Sequence, residues 1–417
     1  MNDIGRHTAL VPQHGSRGDP WRASAPPIYQ TATFEQESAS EFGTYDYARS
    51  GNPTREMLER HCASLEDAQA AFAFASGVAA VTAVARLVQS GERLVAHTGL
   101  YGGTQRLLAR LAQERGVEVV WTDLVDGNWR TAVRGARLVL VESLTNPLWR
   151  APDIRLLAAA CKAEGAWLAV DATALSPWLQ KPLTLGADIV LHSATKLLCG
   201  HADVTAGIVA TRDATIAERI GFIQNSEGAV LSPFDSWLLL RGMRTLGVRI
   251  DRQQANAAVV AEWLANRGDL AAVHYPSLPT HADHALHASQ AQGPGTVLSF
   301  ETGDETRSIE IVERLERFAI AVSFGSVDST ASVPCRMSHA SVPEALRHVA
   351  MPPSDLIRLS IGLEDPEDLI ADLEQALTAT SSNATRTSSV PCGKAHAPRT
   401  TAHMIDNSVA TIPRSRR

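Results

Sequence analysis

Six short apolar runs, residues 93–97, 117–121, 138–142, 167–171, 188–191 and 207–211, recur through the first half of the chain with helical stretches between them. Runs without polar alternation are buried on both faces, and strands joined through helices return in the same direction. The pattern predicts an α/β fold, with a large, mainly parallel sheet domain over residues 51–246. An amphipathic stretch at 241–267 then leads to strands near Val273, at 296–300 and at 357–361, with helices at 306–318 and 366–378. These predict a smaller α+β C-terminal domain over 247–380, with the boundary near Gly247. Residues 1–50 carry turn formers and only short apolar runs, and read as an extended arm that lies on something else. Residues 381–417 shift to Ser, Thr, Pro, Arg and Lys without periodicity, and read as a disordered tail.

At 417 residues the chain is long enough for two packed cores. Its net charge of −7 and lack of a basic patch argue against a nucleic-acid partner. The amino terminus has no apolar signal core, and the most apolar stretch, 70–85, is interrupted by Ser76 and Gly77 and is too short to span a bilayer. No membrane partner and a cytoplasmic location are expected. Five scattered cysteines, Cys62, Cys161, Cys199, Cys335 and Cys392, form no C-x-x-C pair and indicate neither a disulfide framework nor a zinc site. His281, His284 and His287 repeat near Asp283, but the segment reads as a loop without a second ligand pair, so no metal is expected.

Four features carry chemistry. Lys196 follows the apolar run 188–191 in His192-Ser193-Ala194-Thr195-Lys196, an amine flanked by hydroxyls. That grouping suits a phosphate beside an imine-forming lysine, as pyridoxal 5'-phosphate (PLP) requires. Asp171 ends another buried run, where open α/β sheets bind ligands, and could pair with a protonated ring nitrogen. Gly77 and Val78 open a helical stretch whose bare amides suit a phosphate. Tyr101, followed by Gly102 and Gly103, could stack on an aromatic ring. Each also has an ordinary reading: a surface lysine, a helix N-cap aspartate, a packing glycine, a core tyrosine.

Read together, the chain resembles the Cys/Met-metabolism PLP enzymes of fold type I, the group of cystathionine synthases and lyases and methionine γ-lyase. The resemblance covers nearly all of residues 25–377, in order. Its motifs include Pro26-Pro27-Ile28-Tyr29, Tyr47-Ala48-Arg49-Ser50-Gly51-Asn52-Pro53-Thr54 and Glu142-Ser143-Leu144-Thr145-Asn146-Pro147. After the Lys196 run come Gly200-His201-Ala202-Asp203, Leu240-Arg241-Gly242-Met243-Arg244-Thr245-Leu246 and Arg358-Leu359-Ser360-Ile361-Gly362-Leu363-Glu364-Asp365. Asn225-Ser226-Glu227-Gly228, Pro233-Phe234-Asp235-Ser236-Trp237, Ala321-Val322-Ser323-Phe324-Gly325-Ser326 and Met337-Ser338-His339-Ala340-Ser341 resemble the plant-type β-lyase branch.

The resemblance implies PLP on Lys196, which then serves as the base at Cα with its pKa lowered by burial beside cations. It implies Asp171 on the pyridinium and Tyr101 on the ring face. The phosphate falls to Gly77, Val78, Ser193 and Thr195, with Tyr47 and Arg49 reaching in from a neighbouring subunit. Arg358 sits in an apolar run where an unpaired guanidinium is costly, so a substrate α-carboxylate is its expected partner, a structural ion pair being the alternative. Ser323, Asn146 and Tyr47 complete the substrate site. A small sulfur amino acid as substrate and a homotetramer of dimers with shared sites follow from the same likeness.

Several positions depart from the family pattern. Ala172 replaces an asparagine beside Asp171, Val78 a methionine, Leu197 an aromatic and Ala202 a serine. Val322 stands where cystathionine γ-synthases and γ-lyases carry glutamate, although methionine γ-lyase is also apolar there, and Gly103 stands where methionine γ-lyase carries cysteine. The expectation is β-elimination of L-cystathionine to homocysteine, pyruvate and ammonia. The alternatives are a γ-eliminating or γ-replacing enzyme, a lyase for another cysteine conjugate, and a catalytically silent binding protein of the same fold.

Overall fold

A computed structural model describes residues 5–11, 21–340, 342 and 347–381. The first sheet has seven strands: β1 (Ala70–Phe74), β2 (Arg93–His97), β3 (Glu118–Thr122), β4 (Ala136–Glu142), β5 (Trp167–Asp171), β6 (Ile189–Ser193) and β7 (Gly207–Thr211), in the order β1-β7-β6-β5-β4-β2-β3. β3, β2, β4, β5 and β6 are parallel neighbours, and β7 runs antiparallel to both β6 and β1.

The apolar runs are continuous because the sheet is buried on both faces. Leu138, Leu140 and Ala169 pack on one side with Val81 and Val84 of helix Gly77–Ala85 and Leu108 of helix Gly102–Arg115. Val139, Val141, Leu168 and Val170 pack on the other with Ile154, Leu157 and Cys161 of helix Ile154–Glu164. Each buried Val or Leu contributes ~1.5–3 kcal/mol relative to exposure, so alternate polar residues would be destabilising here. Strand order reverses between β2 and β4, and the crevice at their carboxyl ends is where such sheets bind ligands.

The second sheet comprises β8 (Ala272–His274), β9 (Val297–Glu301), β10 (Ala319–Ile320), β11 (Thr330–Ser332) and β12 (Leu356–Ser360), ordered β10-β11-β12-β9-β8. Only β10 and β11 pair in parallel. Leu298, Phe300, Ile357 and Leu359 pack with Val260 and Leu264 of helix Leu246–Ala265 and with Leu369, Leu373 and Leu377 of helix Pro366–Ser381.

The structure corrects several sequence expectations. The stretch 241–267 is not one element: helix Pro233–Met243 ends before Arg244, and Leu246–Ala265 begins a new helix. Gly247 stands in that second helix's first turn. The helix expected over 306–318 ends at Arg314, because Phe318 turns into the second core and the chain continues as β10. The histidine segment is not a loop, since His284–Gln290 is a helix. There His284 Nδ1 and His287 Nε2 lie 2.9 Å from the carbonyls of Pro276 and Gly293. Residues 1–4 and 12–20 of the expected arm, and all of the expected tail beyond Ser381, lie outside the described residues. Among the described residues no helix is long and apolar enough to cross a membrane.

Candidate active site

A cavity of about 420 Å³ opens at the carboxyl ends of β4, β5 and β6 and is closed by residues around β12. Gly77, Val78, Tyr101, Asn146, Asp171, Ser193, Thr195, Lys196, Ser323 and Arg358 all line it. Lys196 stands in the turn after β6, its amide bonded to the Ser193 carbonyl at 3.1 Å. Its Nζ donates to Ser323 Oγ and lies 5.5 Å from the centroid of the Phe324 ring. Burial, reinforced by the Arg358 charge and opposed by Asp171, pulls its pKa down to about 8.

This depression favours reaction with an aldehyde, because only the neutral amine is nucleophilic. The rate of PLP loading onto cofactor-free protein is expected to rise about tenfold per pH unit below pH 8 and to level off near there, whereas an ordinary lysine would level off near 10.5. Stopped-flow absorbance at fixed PLP concentration measures this; a rate still climbing steadily through pH 10 would contradict it.

Asp171 ends β5 with its carboxyl buried. Its Oδ1 accepts from the Thr173 amide at 3.0 Å and from the Thr173 hydroxyl. That hydroxyl in turn accepts from the Ser193 amide at 2.7 Å. Burial raises the Asp171 pKa, while the Thr173 bonds, His192 and Lys196 oppose the rise. Ala172 is fully buried in an apolar cluster and does not line the cavity. Polar support for Asp171 therefore comes from Thr173.

Helix Gly77–Ala85 begins beside Ser193. Ser76 caps it, its Oγ accepting from the Ala79 amide at 3.1 Å, which leaves the first amides, of Gly77 and Val78, without intrahelical partners. A Cβ at residue 77 would lie 2.7 Å from both Cβ and Oγ of Ser193, so glycine is required for the helix start to meet β6. Bare amides, the positive helix end and the Ser193 hydroxyl together form a cradle for a phosphate. Thr195 lines the same region, although its hydroxyl accepts from the Ala206 amide at 3.0 Å.

Tyr101 precedes helix Gly102–Arg115, and its amide donates to Glu142 Oε1 at 2.7 Å. Any side chain at Gly103 would collide with the Tyr101 ring. Arg358, on β12, is buried and donates through Nη1 to Asn146 Oδ1 at 3.2 Å and through Nη2 to the Ser323 carbonyl at 2.8 Å. Among the described residues no carboxylate pairs with it, and burial lowers its pKa to about 10. Ser323 holds a left-handed backbone, φ +85°, which aims its carbonyl at Arg358 while its hydroxyl meets Lys196.

Tyr47 and Arg49 do not line this cavity. Tyr47 is 43% exposed, and Arg49 Nη1 bonds Asn225 Oδ1 at 3.1 Å. Four cavity or near-cavity residues received no role from the sequence. Glu142 appeared only within the motif that contains Asn146, and Thr173 stands two residues after Asp171. Phe324 lies beneath both Lys196 and Arg358, at 5.5 and 5.6 Å. His339, buried with Nε2 3.2 Å from the Asn146 carbonyl, is pushed down to about 4 by burial and by Arg358.

The donor set fits PLP on structural grounds. It offers a depressed lysine for the aldehyde, a carboxyl with no ion-pair partner among the described residues for the ring nitrogen, and an amide cradle for the phosphate. An unpaired buried guanidinium remains for an incoming carboxylate.

A model of the family described as Cys/Met metabolism PLP-dependent enzyme matches residues 7–378. The chain is 48% identical over 371 residues to the chloroplastic cystathionine beta-lyase of Arabidopsis thaliana, covering 88% of this chain and 80% of that one. It is 43% identical to cystathionine gamma-lyase of Bacillus subtilis, covering 84% of this chain and 93% of the relative. A crystal structure of cystathionine gamma synthase from Xanthomonas oryzae pv. oryzae, in complex with aminoacrylate and cysteine, superposes with a TM-score of 0.88 at 38% identity. That likeness covers 91% of this chain and 99% of the other.

Proposed function

We propose that this chain, which belongs to the Cys/Met metabolism PLP-dependent enzyme family, cleaves the Cβ–S bond of L-cystathionine by β-elimination, giving homocysteine, pyruvate and ammonia. The observation that carries the reading is one cavity gathering Lys196, Asp171 and a buried Arg358 that has no carboxylate partner among the described residues. Val322 favours β over γ chemistry on cystathionine: it is apolar, 59% exposed and on the cavity wall, where the cystathionine γ-synthases and γ-lyases of the resemblance carry a glutamate.

PLP, when bound, withdraws the electron pair left at Cα. Arg358 holds the substrate α-carboxylate through its guanidinium fork, with Asn146 and the Ser323 carbonyl fixing the fork's plane. Lys196 Nζ takes the Cα proton, and Ser323 Oγ keeps that amine on the substrate side. The C–S bond breaks with its electron pair leaving on sulfur, and the Lys196 ammonium or the Tyr101 hydroxyl supplies the proton that makes the homocysteine thiol. The remaining three-carbon fragment leaves as aminoacrylate and takes up water to give pyruvate and ammonia. Asp171 holds a positive ring nitrogen, and Gly77, Val78, Ser193 and Thr195 hold the phosphate.

Pyruvate released from cystathionine, followed with lactate dehydrogenase, tests the reading. Equimolar pyruvate and homocysteine are expected; 2-oxobutyrate with cysteine would overturn β-elimination in favour of γ.

The same reading divides the chain into an arm at 1–50, a cofactor domain at 51–246 and an α+β domain at 247–380. It makes the enzyme a cytoplasmic homotetramer built from dimers, with Tyr47 and Arg49 completing the partner's phosphate site. Their position outside their own cavity, on the arm side of the chain, supports this. Lys196→Ala and Arg49→Ala proteins, each inactive alone, should regain activity when unfolded and refolded together. Random pairing leaves one intact site in each mixed dimer, hence up to about a quarter of parental activity. No recovery, with mixed dimers verified by mass, would mean that Arg49 serves its own chain.

A further inference from the structure

Glu142 is a buried acid on the cavity wall that the proposed reaction does not use. It is the last residue of β4, in direct register with Asp171, the last residue of β5. Both carboxyls line the cavity, and neighbouring strands lie only ~4.8 Å apart. The Glu142 side chain accepts the backbone N–H of Tyr101 at 2.7 Å, and the Asn146 N–H lies near enough to lower its pKa. These two residues belong to the loops after the neighbouring strands β2 and β4, and both line the cavity. One carries the ring that faces the cofactor, and the other carries the amide oxygen that orients Arg358.

Two adjoining buried carboxyls with no cation between them cannot both ionise cheaply. The surrounding groups decide which one keeps the charge. Asp171 has the Thr173 amide and hydroxyl as donors, and His192 and Lys196, on β6 and the turn after it, also oppose the rise in its pKa. Around Glu142 stand Asp171 from β5, Tyr101 from the turn after β2 and, farther round the wall, Lys196 and Arg358. His97, at the end of β2, is turned to Asp123 at 3.8 Å. Among the described residues Glu142 has no ion-pair partner, and burial with the Asp171 charge raises its pKa to about 8.

We propose that Glu142 is a positioning residue which, as a neutral acid, ties the Tyr101 loop to the Asn146 loop and leaves Asp171 as the negative charge beneath the cofactor ring. It holds the stacking ring and the Arg358 clamp in one frame without competing for the ring nitrogen's charge. The Arg358 part rests on the proposed function, whereas the cofactor part does not depend on which amino acid is cleaved.

Glu142→Ala, Glu142→Asp and Glu142→Gln holoenzymes test it. Glu142→Ala removes the shared acceptor, so PLP should dissociate about tenfold more readily or worse, with KM raised more than kcat is lowered. Glu142→Asp keeps the acid but withdraws the acceptor by one methylene, and should show the same losses in smaller measure. Glu142→Gln keeps a carbonyl acceptor with no charge, so it should recover most of both losses. It should also leave the pH midpoint of the bound cofactor's visible band within about 0.3 units of the parent, because no charge has been removed.

A glutamine variant that loses PLP as badly as the alanine variant, or moves that midpoint by about one unit or more, would overturn the proposal by showing an ionised Glu142. An alanine variant that binds PLP like the parent would overturn the positioning role. If the alanine protein does not fold, the aspartate and glutamine proteins decide by the same readouts. Absence of pyruvate from the parent enzyme would count against the proposed reaction and leave the PLP and pH readouts standing.

Discussion

Lys196→Ala is expected to abolish turnover, with kcat falling at least ~10³-fold, because one amine serves both as the covalent anchor of the cofactor and as the base at Cα. PLP should still enter the cavity, held by Asp171 and the cradle at Gly77, but without a covalent bond, so the visible band of the lysine-bound cofactor disappears and dialysis removes the colour. The fold should persist. Lys196 forms no ion pair among the described residues, and burial already disfavours its charge, so thermal unfolding of the cofactor-free variant should occur no earlier than in the parent. Activity and the visible band must be lost together; loss of one alone would separate the two roles assigned to this amine.

Arg358→Leu is expected to have the second largest effect, with opposite signs on activity and stability. Removing one member of a buried, hydrogen-bonded charge pair costs ~2–5 kcal/mol, so kcat/KM should fall by about 30- to 5,000-fold, mostly through KM. Before substrate arrives that guanidinium is buried beside a carbonyl and an amide oxygen, with no anion among the described residues, a poor return for its desolvation. The leucine protein without substrate should therefore melt at or above the parental temperature. Arg358→Lys keeps the charge but loses the fork, and should recover only a small part of the activity. A marked fall in melting temperature with KM unchanged would instead make Arg358 a structural residue.

The sequence reveals β4, β5, β6 and β7 because burial on both faces leaves unbroken apolar runs, and it reveals Asp171 and Lys196 because they follow such runs directly. β1 is hidden for the converse reason. Ala70–Phe74 is an alanine-phenylalanine stretch that merges with the helix beginning at Gly77, and nothing in its periodicity separates strand from helix. The antiparallel direction of β7 is equally hidden, since it follows from the short connection carrying Lys196 rather than from β7 itself. The break at Arg244 escapes notice because the apolar pattern continues across it.

In the site, local motifs identify residues whose chemistry is carried by their type, such as an amine, a carboxyl or a guanidinium. They miss residues whose role arises only from distant parts of the chain meeting. Glu142 matters through the amides of Tyr101 and Asn146, His339 through the Asn146 carbonyl, and Phe324 through its place under two cations. Ala172 shows the reverse. It departs from the family pattern, its side chain lies in an apolar cluster and does not line the cavity, and Thr173 supplies the donors to Asp171.

The chain contains only four lysines, Lys162, Lys181, Lys196 and Lys394, which makes one measurement decisive. Borohydride reduction of the PLP-loaded enzyme fixes the cofactor wherever its imine stands, and peptide mass spectrometry locates it. The account predicts a single pyridoxyl-phosphate adduct on the Lys196 peptide; an adduct on Lys162, Lys181 or Lys394 in its place, or none at all, would contradict it.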